Sequence, residues 1–322
     1  MAQRHPSTVV GNTWRRKAGD AHVAMLLSEN HGTLIGANNK MRCLYNGPLK
    51  RVAAVEDSVS DIVVERRDDI LWLRLNRPER MNSYDRNTID ELIGALSHHV
   101  DARVTVITGT GRAFCAGGYL ANLSKPNYWE LRRMFLGSME LFEAMRSAPM
   151  PIIAAVNGAA FGGGNELVVA CDLAIAAESA QFGQTGVRVG SAPVLGGTNL
   201  LAGSIGEKKA KEVSFLCRKY SATEAMDLGW VNQVVPDDQL EAEVGRWCDE
   251  LLQMSQRYLE VTKLSSNMWW YQMKENMALS LGILTQGIGS PDMIEGANAF
   301  MEKRKPNFPP RSDAPPPWRA NE

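Results

Sequence analysis

The chain has 322 residues, of which 44% are hydrophobic and 22% charged, which is the profile of a soluble globular protein with one substantial core. Its 35 Lys and Arg residues nearly balance its 36 Asp and Glu residues, so a net charge of −1 provides no global field for a polyanion such as nucleic acid. The five cysteines are widely spaced without a CxxC pair, and no apolar run reaches the length of a membrane span, so we expect a cytoplasmic protein with neither disulfides nor a zinc site.

The two ends of the chain are predicted to lie outside the folded core. Residues 1–58 are polar, with scattered Gly, Asn and Pro and little periodicity, which indicates an extension rather than a domain. Four Arg or Lys residues and no acid among the first 19 residues resemble an organelle transit peptide, but the Ser-rich amphipathic pattern is missing, and we favour a plain extension. Residues 309–322 form a Pro-rich tail.

The first ordered elements are predicted from residue 62 onward. Two runs of β-forming residues, 62–65 and 70–75, flank the turn-like sequence Arg67-Asp68-Asp69, which indicates a hairpin. Apolar residues at helical spacing predict a helix over 87–100, and VTVITGTG, residues 104–111, is typical of a buried strand that ends at glycines.

Helices and strands then alternate. Residues 129–148 have the pattern of an amphipathic helix, and PIIAAVNG, residues 151–158, that of a short apolar strand. ELVVACDL, residues 166–173, begins another helix, and from residue 207 onward the chain is mainly helical, most clearly in residues 241–254. The alternation predicts an α/β architecture with crossover connections.

Three consecutive glycines, Gly162 to Gly164, stand where the strand at 151–158 gives way to a helix. Glycine there lets a ligand approach the first backbone N–H groups of the helix, which have no partner within the helix and lie at the positive end of its dipole. A phosphate cradle is one interpretation, although neither GxxxxGK[ST] nor GxGxxG is present. A tight turn with close helix packing is the other common interpretation.

A second glycine-rich junction, AFCAGGY at residues 113–119, also follows a strand. Two such junctions can each supply one N–H group to a single oxygen, which is how an oxyanion hole is built for an enolate or a tetrahedral intermediate. This second junction favours the anion-binding interpretation of the glycine triplet.

Proton transfer is predicted to depend on a carboxylate. All five histidines precede residue 100, and none is beside either glycine junction, which disfavours a histidine-activated nucleophile. Glu166, three residues after Gly163, is the candidate, although an acid in the first turn of a helix also stabilises the helix dipole. Burial in a closed pocket would raise its pKa toward the working pH.

From about residue 60 to residue 308 the sequence resembles the crotonase, or enoyl-CoA hydratase/isomerase, superfamily. The resemblance is carried by LNRPERMNSY, ITGTGRAFCAGG, PIIAAVNGAAFGGGNELVVACDLAIAAESAQFGQTG and EGANAFMEKRKPNF, in that order. It implies an α/β fold, a spiral of ββα units, over residues 59–255, followed by a helical trimerisation region over residues 256–308. It also implies an acyl-coenzyme A substrate, no cofactor beyond that coenzyme A moiety, and a homotrimer or a dimer of trimers.

The resemblance also assigns roles by position. The N–H groups of Gly118 and Gly163 would hold the thioester oxygen, and Glu166 matches one of the two glutamates with which hydratases activate water. Tyr119 would hydrogen-bond the substrate or orient water, or simply fill the acyl pocket. The expected coenzyme contacts are Arg80, Ala116, Phe300 and Lys303.

Several residues depart from the usual pattern. In FGQTG the second hydratase glutamate is replaced by Gly186, which argues against a plain two-glutamate hydration. FGQTGVRVGS and the segment beginning GEKKAKEV resemble the ring-processing branch, which includes 1,4-dihydroxy-2-naphthoyl-CoA synthase and 6-oxocyclohex-1-ene-1-carbonyl-CoA hydrolase. Yet the aspartate of the synthases falls on Pro193 and their C-terminal tyrosine near Ile288, whereas the hydrolase type keeps a glutamate after the triplet.

Three functions are consistent with these residues. The leading hypothesis is an enzyme that adds water to, or hydrolytically cleaves, a cyclic or bulky enoyl- or β-oxoacyl-CoA through a thioester enolate. A simple enoyl-CoA hydratase or a double-bond isomerase is the second. A non-catalytic scaffold that binds coenzyme A or RNA is the third, although the near-neutral charge and Glu166 speak against it. Asp172 is predicted to be a buried structural acid. For Trp269 and Trp270 we favour packing in the core or at an interface over the other interpretation, that they line a bulky pocket.

Overall fold

The computed structural model describes residues 60–308 of the chain. The predicted extension at residues 1–58 and the Pro-rich tail at residues 309–322 lie outside this range. Within it, no helix is both long enough and apolar enough to cross a bilayer.

A six-stranded sheet forms the base of the fold. Its first two strands pair antiparallel as the predicted hairpin, with Asp68 in the left-handed region at the turn (φ 52°), and all later neighbours pair parallel. In spatial order the strands are β1 (Ile62–Arg67), β2 (Ile70–Leu75), β3 (Val104–Gly109), β5 (Ile152–Val156), β7 (Leu173–Ala177) and β10 (Gln233–Val235).

A smaller, four-stranded sheet is built from the short strands that follow the long ones. Each of β3, β5 and β7 continues after a few residues into a short strand of this second sheet, so the same β-β unit recurs three times along the chain. The short strands are β4 (Ala113–Cys115), β6 (Ala159–Phe161), β8 (Gln181–Gly183) and β9 (Tyr220–Ser221). This repetition confirms the predicted α/β fold of ββα units.

Helices connect these units and cover the sheets. They are α1 (Arg86–His98), α2 (Ala121–Ser124), α3 (Tyr128–Ser147), α4 (Gly163–Ala170), α5 (Leu200–Ile205), α6 (Glu207–Leu216), α7 (Ala222–Asp227), α8 (Leu240–Leu252), α9 (Gln256–Ser266), α10 (Met268–Gln286) and α11 (Pro291–Met301). The helices predicted at 87–100, 129–148 and 241–254 are confirmed to within two residues as α1, α3 and α8.

The two faces of the large sheet have separate hydrophobic cores. On one face Trp72, Val106 and Ile153 pack against Val244 and Cys248 of α8. The opposite face, which carries Leu71 and Leu73, belongs to the larger core that joins the second sheet to most of the helices. The alternation of side chains along each strand produces this division.

The helix predicted from residue 166 is shorter than expected at its C-terminal end. α4 ends at Ala170, and the apolar run from Leu173 is a buried strand rather than a continuation of the helix. Asp172 explains the change: its N–H donates to the carbonyl of Ile152 (2.9 Å), and its carboxylate accepts the N–H of Ile152 (2.8 Å). These two bonds attach the chain to the start of β5.

Candidate active site

The two glycine junctions meet at one edge of the small sheet. β4 and β6 are parallel neighbours, with Ala113 opposite Ala159, so the residues that follow them emerge side by side. Gly117 has a φ of +97°, and a Cβ atom there would lie 2.9 Å from the backbone nitrogen of Gly163. The sequence prediction that the two junctions lie close together is therefore consistent with the backbone geometry.

Each glycine of the triplet meets a different requirement. Gly162 has a φ of +55°, which a residue with a side chain adopts only with strain. A Cβ atom on Gly163 would collide with the Tyr84 hydroxyl, and one on Gly164 with the carbonyl oxygen of Cys115. The triplet thus combines a left-handed turn with two close approaches, which explains why three glycines occur in succession.

Both junctions line one cavity of about 350 Å³, whose wall is mostly apolar. Gly118 and Gly163 both face it. Among residues 60–308, neither of their N–H groups donates a hydrogen bond, and Gly163 begins α4. Two unpaired donors on one cavity wall suit the stabilisation of a developing oxyanion.

Glu166 lines the same cavity and is the only carboxylate to do so within the described part of the chain. Its side chain is 6% exposed, and Oε1 accepts the N–H groups of Leu195 and Gly197, each at 3.1 Å. Burial raises the pKa of Glu166 to about 7, and the two backbone hydrogen bonds oppose that rise. The carboxyl group is therefore held in a fixed orientation and is poised to exchange a proton near neutral pH.

The wall formed by residues 184–195 carries no acid. A Cβ atom on Gly186 would lie 3.0 Å from Cδ of Pro193 and 3.1 Å from Ala192. Gly186 and Pro193 are the positions at which the resemblance places the second glutamate of the hydratases and the aspartate of the synthases, and in this chain the two positions are in contact. Gln184 also lines the cavity, and both polar atoms of its fully buried amide are without a partner among the described residues. This wall therefore combines small and apolar residues with the buried Gln184 amide and the basic Arg188.

The structure brings five of the eight predicted site residues to the cavity. They are Ala116, Gly118, Gly163, Glu166 and Phe300. The other three, Arg80, Tyr119 and Lys303, are not part of its lining.

Arg80 and Tyr119 contact each other instead. The Arg80 guanidinium lies over the Tyr119 ring at 5.0 Å and forms ion pairs with Asp85 (2.9 Å) and Asp61 (3.4 Å). This network ties the loop after β2 to the start of α1. Lys303 follows α11 with a φ of +55° and is exposed.

Two structural predictions concern residues outside the cavity. Trp270 packs in the core, and its indole N–H donates to Glu143 (3.2 Å), as the core-packing interpretation expected, whereas the side chain of Trp269 lies outside the described part. Asp172 is structural as predicted, but in addition to its backbone donor it pairs with Lys263 at 2.8 Å. Among the described residues, no three His, Cys, Asp or Glu side chains are arranged to hold a metal ion.

The sequence analysis missed several cavity residues with polar or charged side chains, among them one tyrosine and three basic residues. Tyr84 lines the cavity from the loop before α1, and Arg188, Arg218 and Lys219 lie at its basic side, where Lys219 stands over the Phe161 ring at 5.5 Å. None of these residues belongs to a glycine junction, and they come from three separate stretches of the chain. Only the fold places them together.

The chain is similar to known proteins in both sequence and fold. Residues 65–311 match the family model for enoyl-CoA hydratase/isomerase. An enoyl-CoA hydratase/isomerase from Xanthobacter autotrophicus Py2 is 29% identical, with a TM-score of 0.71 over 79% of this chain and 100% of its own. An enoyl-CoA hydratase from Bacillus anthracis is 32% identical, with a TM-score of 0.63 over 77% and 98% of the two chains. A carnitinyl-CoA hydratase from Mycobacterium avium is 27% identical, with a TM-score of 0.68 over 79% and 100%.

Proposed function

The chain belongs to the enoyl-CoA hydratase/isomerase family, and we propose that it adds water to, or hydrolytically cleaves, a cyclic or bulky enoyl- or β-oxoacyl-CoA. The observation that carries the proposal is a cavity lined by two glycine N–H donors and, within the described residues, by a single carboxylate, that of Glu166. Ser191 and Ala192 place small side chains in the cavity lining, which suits a wider acyl group than a straight chain.

Both reactions pass through a thioester enolate in this proposal. Glu166 takes a proton from water as the water oxygen bonds to the β-carbon of an enoyl group or to the ring carbonyl of a β-oxoacyl group. In the hydration, the π electrons of the double bond move onto the thioester and form the enolate. In the ring opening, the bond between the ring carbonyl carbon and the α-carbon breaks, and its electron pair forms the same thioester enolate. The N–H groups of Gly118 and Gly163 hold the resulting oxyanion, and Glu166 returns the proton to the α-carbon.

The coenzyme is proposed to enter past Ala116 and to end near Phe300, two residues that line the cavity. The proposal gives less weight to three further contacts, because these residues are not part of the cavity lining of the single chain. They are Arg80 and Lys303 as contacts of the coenzyme and Tyr119 as a contact of the acyl group or of water. No metal or redox cofactor takes part in the proposed steps.

A thioester panel in ¹⁸O-labelled water tests the function. Cyclic enoyl- and β-oxoacyl-CoA compounds are incubated with the protein, and tandem mass spectrometry locates the label in a hydroxyl group for hydration or in a new carboxylate for ring opening. Straight-chain crotonyl-CoA serves as the comparison substrate. Turnover of crotonyl-CoA alone, or no turnover of any thioester, would contradict the proposal.

The simple enoyl-CoA hydratase or double-bond isomerase is the second candidate, favoured by the similar structures, which are an enoyl-CoA hydratase and an enoyl-CoA hydratase/isomerase. An isomerase moves a proton without net addition of water. Incorporation of solvent deuterium into the acyl chain without a gain of oxygen would therefore identify this alternative.

We also propose that the protein is a homotrimer or a dimer of trimers that assembles through its C-terminal helices. One face of α10 is buried in the core through Trp270, Met277 and Leu281, yet the helix carries a second set of large apolar residues that are exposed. These are Met268, Tyr271, Leu279 and Ile283, the last two 65% and 63% exposed. Exposed apolar residues grouped on one helix mark an interaction surface, and we assign it to other copies of this chain.

Replacing Leu279 and Ile283 together by glutamate should convert the oligomer to a monomer. The two positions are one helical turn apart, so two negative charges enter the same contact. Sedimentation velocity measures the change, and Val100→Glu, at an exposed position after α1, provides the control. A double variant with the wild-type sedimentation coefficient would contradict the assignment.

A further inference from the structure

Tyr84 is fixed to the first glycine junction by its main chain. Its N–H donates to the carbonyl of Gly117 and its carbonyl accepts the N–H of Tyr119, each at 2.9 Å. These bonds make a parallel bridge between Tyr84 and Gly118. The position of Tyr84 is therefore set by the segment that presents the Gly118 N–H group.

The side chain of Tyr84 reaches the second junction. Its hydroxyl occupies the space in which a Cβ atom on Gly163 would lie, so the phenol touches the residue that begins α4. Tyr84 lines the cavity and is 9% exposed. One residue thus contacts both glycine junctions, with its backbone at the first and its hydroxyl at the second.

The phenol is a hydrogen-bond donor rather than a base in this environment. Burial raises the pKa of Tyr84 far above its ordinary value, and the nearby charge of Glu166 raises it further. A neutral hydroxyl at the Cβ side of Gly163 can donate its proton to an oxygen bound in the cavity.

We propose that the Tyr84 hydroxyl donates a third hydrogen bond to the thioester oxygen, beside the N–H groups of Gly118 and Gly163. This inference rests on the proposed function, because it requires an acyl thioester in the cavity. A third donor strengthens the stabilisation of the enolate in a site whose described lining contains one carboxylate.

The geometry also explains why residue 163 is a glycine, which the two N–H donors alone do not explain. Gly164 and Gly117 must be glycine because backbone atoms of neighbouring segments occupy the Cβ position, whereas at Gly163 the obstacle is a side-chain hydroxyl. A glycine at 163 therefore makes space for this tyrosine in particular. Ser138 is a side-chain hydrogen-bond partner of the phenol, and its Oγ donates to the carbonyl of Met134 (3.1 Å). A bound thioester oxygen would therefore compete with Ser138 for the phenol proton.

Tyr84→Phe tests the inference, since it removes the hydroxyl and keeps the buried ring. The probe is 4-aminocinnamoyl-CoA, a chromophoric thioester whose absorption band moves to longer wavelength when its carbonyl group is polarised. We expect the wild-type protein to shift the band and Tyr84→Phe to shift it less, with kcat on the best thioester of the panel lowered about 10- to 100-fold and KM little changed. The urea midpoint of unfolding should stay at the wild-type value.

Tyr220→Phe is the matched control, because it removes the hydroxyl of another tyrosine with a buried ring, one that bonds Glu212 (3.0 Å) outside the cavity lining. It should shift the band as the wild-type protein does. An equal shift and equal kcat in Tyr84→Phe would overturn the inference, and so would a lower kcat that comes with a lower unfolding midpoint and an unchanged shift. A wild-type protein that binds the probe without any shift would overturn the enolate site itself.

Discussion

Replacing Glu166 by glutamine should lower kcat on the protein's thioester substrate by about 10³-fold while leaving KM nearly unchanged. Glutamine has the same shape, but it cannot accept a proton from water. Because Glu166 is the only carboxylate that lines the cavity within the described residues, no neighbouring acid can replace it. Steady-state kinetics on purified protein measure both constants.

The same variant should remove a pH dependence. A general base works in its ionised form, so kcat/KM of the wild-type protein should rise as the pH increases through about 7, the pKa to which burial raises Glu166, and then level off. The residual activity of Glu166→Gln should lack this rise. Glu166→Asp keeps the charge but withdraws the carboxylate by one methylene group, so we expect an intermediate kcat with the pH dependence retained.

Two control measurements show whether the loss of kcat in Glu166→Gln comes from the chemical step rather than from unfolding or weaker binding. Oε1 of Glu166 accepts two backbone N–H groups, of Leu195 and Gly197, and the amide oxygen of glutamine can accept the same bonds, so the urea midpoint should change little. Affinity for coenzyme A should also be retained. A Glu166→Gln protein with more than a tenth of the wild-type kcat would show that another group moves the proton.

The sequence predicts the local part of this site well. The glycine junctions and Glu166 are short, contiguous patterns whose physical requirement, bare backbone at the start of a helix, can be derived from neighbouring residues. Their convergence follows from the parallel pairing of β4 and β6, which a βαβ-type alternation already indicates. The α/β fold could be predicted for the same reason.

Contacts between distant segments could not be predicted in this way. Tyr84 approaches Gly163 from another loop, and nothing in its own neighbourhood marks it as a cavity residue. Arg80 was assigned to the coenzyme from position alone, whereas in the structure two aspartates, Asp61 and Asp85, engage its guanidinium. Asp172 was correctly interpreted as a structural acid with a backbone donor, but it is only partly buried, with 18% of its side chain exposed, and its partner Lys263 lies on a helix far along the chain.

Replacing Lys263, the ion-pair partner of Asp172, should destabilise the protein more than any other substitution discussed above. Lys263 of α9 is 5% exposed at its side chain, and its Nζ contacts Asp172 Oδ2 (2.8 Å) and the carbonyls of Met145 and Met150 (2.9 Å each). Lys263→Met keeps the aliphatic stem but leaves the Asp172 carboxylate without its cationic partner and two buried carbonyls without their donor. We expect the free energy of unfolding to fall by about 3 kcal/mol, because breaking a largely buried ion pair from one side leaves the remaining charge without its closest partner.

Urea and thermal unfolding measure this loss. For a protein of this size, about 3 kcal/mol corresponds to a decrease in Tm of roughly 6 to 12 °C. Lys274→Met is the matched control, since Lys274 of α10 also connects the C-terminal helices to α3 through Glu143 (2.7 Å), but both side chains are about 40% exposed. An exposed pair contributes about 1 kcal/mol or less, so this control should unfold near the wild-type midpoint.

A double variant separates the ion pair from general packing at α9. The variant Lys263→Met combined with Asp172→Asn replaces the charged carboxylate by a neutral amide. Part of the stability lost in Lys263→Met alone should therefore return. The amide oxygen introduced by Asp172→Asn would still accept the N–H of Ile152 that holds the start of β5, which keeps the local backbone in place. If Lys263→Met unfolded within about 1 kcal/mol of the wild-type protein, or if the second change only added to the loss, the buried pair would not be what attaches α9 to the core.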